Sequence, residues 1–75
     1  MELFDIQVLL QDGSFEDYQV ENERENKIYR VLKDTIFLIS FTADEDGGWS
    51  LAENPGNISE DLQQRILNQL NGFRG

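Results

Sequence analysis

Apolar and polar residues alternate along the first stretch of the chain. Phe4, Ile6, Val8 and Leu10 fall on one side, and Leu3, Asp5, Gln7, Leu9 and Gln11 on the other. A period of two over nine residues predicts a strand with its even positions facing the core. Asp12-Gly13-Ser14 supplies turn chemistry, after which Tyr18 and Val20 alternate with Asp17, Gln19 and Glu21 in a second strand. A two-residue Asp12-Gly13 loop would set Val8 opposite Asp17 and waste the apolar face. The pattern therefore predicts an odd-length loop, 12 to 14, with Val8 opposite Tyr18 and Ile6 opposite Val20.

Residues 21–27 contain nothing apolar and read as an exposed connection to a third strand over about 28–32. The next run, Ile36-Phe37-Leu38-Ile39-Ser40-Phe41, has five apolar side chains out of six. It does not alternate, so it is expected to be central and covered on both faces, with Phe37, Ile39 and Phe41 on one and Ile36, Leu38 and Ser40 on the other. Residues 43–48 form an acidic, glycine-ended turn into a short fifth strand, Trp49-Ser50-Leu51, with Trp49 and Leu51 pointing the same way. Asn54-Pro55-Gly56 breaks the sheet.

The last element reads as a helix. Asn57 and Ser59 offer N-cap oxygens, Glu60 and Asp61 suit a helix start, and Glu60 lies at capping-box spacing from Asn57. Leu62, Ile66, Leu67, Leu70 and Phe73 recur at helical intervals, with Arg65 on the more exposed side and Gly72 as the stop. The fold class that follows is α+β: one domain over 1–75, an antiparallel meander of about five strands with one C-terminal helix packed on one face.

This architecture leaves a covering problem. Five strands spread over roughly 19 Å, whereas a helix about 10 Å across covers two or three of them. Leu3, Leu9 and Phe15 lie opposite the core face of the first hairpin and are the candidate partner-binding residues. A protein partner, or a homodimer joining the uncovered sheet faces, is the expected occupant.

Charge and residue usage narrow the function. Fifteen Asp and Glu against six Lys and Arg give a net charge of −9 over 75 residues, a field that repels nucleic acid and anionic membrane. It also admits an acidic inhibitor or nucleic-acid mimic acting on a basic protein as an alternative. The chain has no Cys and no His. It therefore lacks the usual proton shuttle and the strongest neutral-pH nucleophile, and no enzymatic activity or cofactor is expected. Ser14, Ser40, Ser50 and Ser59 each have a structural reading as turn, strand or cap. The aromatic residues have no basic groove to serve as a stacking platform.

One metal motif can be aligned. With Gly47 at the sixth position of a calcium loop, Asp44 and Asp46 fall at the third and fifth and Glu53 at the twelfth. Thr42 then stands at the first, a poor ligand, and the flanks read as strands, which leaves a weak calcium or small-ligand binder as a further alternative. The sequence shows neither a signal-peptide pattern nor an apolar run of membrane length, so the expected location is cytoplasmic.

Overall fold

The computed structural model describes residues 2–23, 25 and 27–74, with only the backbone of Phe73 and Arg74. Among these residues the elements are β1 (Glu2–Leu9), β2 (Phe15–Glu23), β3 (Ile28–Lys33), β4 (Ile36–Ala43), β5 (Trp49–Glu53) and α1 (Glu60–Arg74). The strands form one antiparallel sheet in chain order, β1-β2-β3-β4-β5. This is the α+β meander with a C-terminal helix that the alternation predicts.

Two hairpins use the same turn. Leu10 N–H donates to Ser14 O at 2.8 Å and Gly13 N–H to Leu10 O at 3.1 Å. At the β4–β5 corner, Asp44 N–H donates to Gly48 O at 2.9 Å and Gly47 N–H to Asp44 O at 3.2 Å. Each loop therefore has three residues and ends on a left-handed glycine, Gly13 at φ 86° and Gly47 at φ 94°. Aspartates lock both turns: the Oδ1 of Asp12 accepts Ser14 N–H, and that of Asp46 accepts Gly48 N–H, at 3.0 Å each. The first loop is odd, as the core face requires, but it spans 11–13. Ile6 consequently faces Tyr18, Phe4 faces Val20, and Val8 faces Glu16 in place of Tyr18.

Two other expectations fail for local reasons. β2 continues through Asn22 and Glu23, which pair with Tyr29 and Ile28, so three of the seven residues of the expected 21–27 connection are strand. Polar side chains hid it: Asn22 is buried on the core face, and Glu23 holds Arg30 in an ion pair at 2.9 Å. In β4, the pairing with β3 shifts by one residue between Val31 and Leu32. Val31 faces Ile39 but Leu32 faces Phe37, leaving Leu38 as the extra residue of a bulge. Phe37 thus lies with Leu32 on the face away from the core, while Leu38 packs against the core. The expected faces of Phe37 and Leu38 are exchanged. The β3–β4 turn itself runs through Asp34 at φ 51° and Thr35 at φ 67°, a left-handed conformation that β-branched residues rarely adopt.

The core is Ile6, Val8, Tyr18, Val20, Tyr29, Val31, Ile39, Phe41 and Ala43 from one sheet face, closed by Ile66 and Leu70 of α1. Burying each of those two helix side chains contributes about 1.5–3 kcal/mol. Leu62 and Leu67 pack at the margin, and the Phe73 side chain lies outside the described residues. The N-cap is Ser59, whose Oγ accepts Leu62 N–H at 3.3 Å. Asn57 stands outside the helix at φ 53°, and α1 continues past Gly72 to Arg74 instead of stopping there.

Three contacts seat the helix. Asn54 Oδ1 accepts Ile58 N–H at 2.8 Å while its Nδ2 donates back to Ile58 O, which fixes the approach. Arg65 donates to Asp61 and, through Nη1, to Leu9 O at 2.9 Å, tying α1 to β1. Trp49 stacks edge-on against Tyr29 at 5.0 Å and donates from Nε1 to Asn71 Oδ1 at 2.7 Å. Leu51 points to the same side as Trp49 but is exposed, so only Trp49 caps the core there. Beneath the approach to α1, Gly56 N–H donates to Leu38 O at 2.8 Å, with its Cα against the bulge.

Candidate functional site: the outer face of the sheet

Because α1 covers the even face of β1, the opposite face of the sheet has no element over it among the described residues. On β1 this outer face carries Leu3, Asp5, Gln7 and Leu9; on β2, Phe15, Asp17, Gln19, Glu21 and Glu23. Leu32 and Phe37 add an apolar pair at one end of β3 and β4. Leu3 is 71% exposed, Phe15 60% and Leu9 46%.

The three candidate residues do not form one patch. Leu9 and Phe15 are direct cross-strand partners, so they adjoin. Leu3 faces Glu21, six residues further along β1, which is roughly 20 Å away. Asp5 and Gln7 lie between. Period two places all three on one face but says nothing about distance along the strand.

Around Leu3 the surface sinks into an open hollow of about 400 Å³, lined by Leu3, Phe4, Asp5, Gln19, Glu21, Leu32 and Thr35. A second hollow of about 570 Å³, reaching Asp17, Lys33 and Asp34, shares Asp5, Gln19, Leu32 and Thr35 with it. Two aliphatic side chains beside carboxylates match a cationic head on an apolar stem. The sequence signal for Gln19, Glu21 and Leu32 was only their place opposite the core positions of β2 and β3, and nothing in the spacing marked a hollow.

Cations near this surface are already engaged. Hydrogen bonding and charge from Glu23 raise the Arg30 pKa further, and a hydrogen bond from Glu16 raises that of Lys33. Lys33 also lies 3.0 Å from Glu16 and 5.4 Å from the centre of the Tyr18 ring. Burial of that ring, followed by the Glu16 charge, pushes the Tyr18 phenol upward.

The carboxylates as a whole are dispersed. Asp12 and Asp34 stand at turns on one end of the sheet, Glu25, Glu45 and Asp46 at the other, Asp5, Asp17 and Glu21 on the outer face, and Glu60 and Asp61 at the start of α1. The calcium alignment also comes apart. Both oxygens of Asp44 accept the Ser50 hydroxyl, at 3.0 and 3.1 Å, and Asp46 is occupied by Gly48 N–H. Glu53 pairs with Ser40, four residues down β4 from Asp44, or roughly 13 Å. No cluster of three or more metal-ligating side chains occurs among the described residues.

Ser40 is 1% exposed between Arg30 and Glu53, and its Oγ has no hydrogen-bond partner among the described residues. No described helix is long and apolar enough to cross a membrane. Comparison with known proteins finds no matching family model, curated protein or solved structure.

Proposed function

We propose that this protein is a non-enzymatic protein–protein interaction module that engages its partner on the outer face of the sheet. The observation that carries the reading is the hollow itself: Leu3 and Leu32 supply apolar walls, and Asp5 and Glu21 supply charge, on a face that no described element covers. The partner such a surface fits is a protein segment that alternates Lys or Arg with aliphatic residues. The net charge of −9 would hasten its encounter and make binding weaken with salt. The absence of His and Cys from the sequence supports a binding role over a catalytic one. A duplex mimic is less well supported, because the carboxylates are spread over both ends, the helix start and the outer face.

The test is a titration, followed by amide and methyl NMR, with a peptide alternating Lys and Leu and with its Glu-for-Lys counterpart. Shifts confined to Leu3, Gln19 and Leu32 with the basic peptide, lost in Leu3→Asp, are expected. Equal binding of the acidic peptide, or shifts centred on α1, would refute the assignment.

A further inference from the structure

The free edge of the sheet supports an inference that does not depend on what the outer face binds. Leu10 N–H donates to Ser14 O, so the even residues of β1 direct their backbone groups to β2, and the odd residues direct theirs away from it. Leu9 O accepts Arg65 from that outward side, as this parity requires. The outward row is therefore Leu3, Asp5, Gln7 and Leu9, with no strand beside it among the described residues.

The two edges of the sheet differ in how they are protected. β5 is five residues long and its pairing with β4 is irregular between Ser40 and Phe41, both of which blunt an edge. β1 is eight residues long and regular, and carries no Pro or Lys. Arg65 occupies one of its carbonyls. Such an edge is a template for another strand.

We propose that the occupant is β1 of a second copy, joined antiparallel about a two-fold axis that passes beside Ile6. The row Leu3-Asp5-Gln7-Leu9 complements itself in one register. Setting residue i opposite residue 12 − i places Leu3 against Leu9 of the second copy and Asp5 against Gln7, and uses every outward backbone group except Leu9 O, which Arg65 already holds, and the Leu3 amide that would meet it. A shift of two residues either way sets Asp5 against Asp5 or Gln7 against Gln7 and leaves one end of the row unmatched. Across the other face, Phe4 meets Val8 and Ile6 meets Ile6. The contact is isologous and closes at two copies.

This register also gathers what one chain keeps apart. On the outer face, Phe15 and Leu9 of one copy lie in line with Leu3 of the other, twice over, so each exposed leucine of β1 gains an apolar neighbour. Apolar pairing and main-chain hydrogen bonds hold the dimer, while two charges of −9 oppose it. Association should therefore strengthen as salt rises, opposite to the salt dependence expected of a basic partner.

The experiment is sedimentation equilibrium on the full chain at low and physiological salt, with amide hydrogen exchange across the same concentrations. A dimer that tightens with salt is expected, in which the Asp5, Gln7 and Leu9 amides gain protection with concentration. Gln7→Lys sets opposite charges against Asp5 at two symmetric places and should tighten the dimer about two- to thirtyfold. Gln7→Glu should loosen it by a similar factor. Neither substitution touches the core, and circular dichroism checks that both fold. A monomer at every concentration, odd-residue amides equally protected when dilute, or Gln7→Lys and Gln7→Glu shifting the equilibrium alike would each overturn the proposal. A dimer whose protection maps to Phe15 and Phe37 but not to β1 amides would overturn it in favour of face-to-face association.

Discussion

Gly56 and Gly72 set up an opposed pair of substitutions. A Cβ on Gly56 would stand 3.0 Å from Leu38 Cδ2, 3.0 Å from Leu38 O and 3.1 Å from Leu38 Cα. Carbon contacts settle at about 3.5–4.0 Å, so the loop must retreat by roughly 0.5 Å. Two of the three neighbouring atoms are backbone in a hydrogen-bonded bulge, and the retreat would stretch the 2.8 Å bond from Gly56 N–H to Leu38 O. Overpacking of this kind costs about 1–3 kcal/mol, or about 4–8 °C of melting temperature per kcal/mol in a chain this size. Gly72 meets nothing within 4 Å and lies in α1, so alanine there should stabilise by about 0.5–1 kcal/mol. Urea unfolding followed by Trp49 fluorescence measures both. A Gly56→Ala midpoint at or above that of the parent would refute the close packing of the loop on the bulge.

Ile66→Asp places a carboxylate in the centre of the core and should leave the chain unfolded by circular dichroism at 25 °C, whereas a parent-like melt would refute the buried face of α1. Arg65→Glu loses the bonds to Leu9 O and Asp61 and adds repulsion, so it should cost about 1–2 kcal/mol in urea, not the negligible amount that helical periodicity alone suggests. The hydroxyl and then the amide of Ser14 hold the Asp12 pKa below the ordinary 3.8. The stabilisation from this turn is therefore present above that value and is lost as pH falls through the lower folded-state pKa. Ser14→Ala should raise the Asp12 pKa, read from its carboxyl carbon by NMR, and an unchanged titration would show that the turn bond is absent in solution. Millimolar calcium should leave Trp49 emission and melting temperature unchanged, and a saturable shift would show that Asp44, Asp46 and Glu53 converge after all.

Element order and core face were legible because they rest on strong signals: the even positions of β1, the helical spacing of Ile66 and Leu70, and the turn chemistry of Asp12-Gly13 and Asp46-Gly47. What escaped was what pairing imposes from outside a segment. Leu38 became a bulge because β3 and β4 fall out of step after Val31, and one inserted residue reverses every side chain beyond it. Asn22 is buried because Tyr29 lies opposite it, not because of its polarity. Asn57 is the better capping residue by position, but Asn54 fixes Ile58 and hands the cap to Ser59. The candidate site was half legible. Alternation assigned Leu3, Leu9 and Phe15 to one face, whereas their separation depended on register, and the hollow depended on a strand they do not belong to.

Strand order follows chain order, so the sheet assembles from neighbouring hairpins, each of which forms in microseconds. Seating α1 is a separate event: Arg65 must find Leu9, 56 residues away. Opening of α1 alone would leave a partly open state that keeps most of the sheet. In that state Ile6 and Val8 would lose their cover beside the edge of β1, the arrangement from which stacked aggregates grow. The surplus of nine negative charges slows that growth, since each further copy approaches against a repulsion that salt screens.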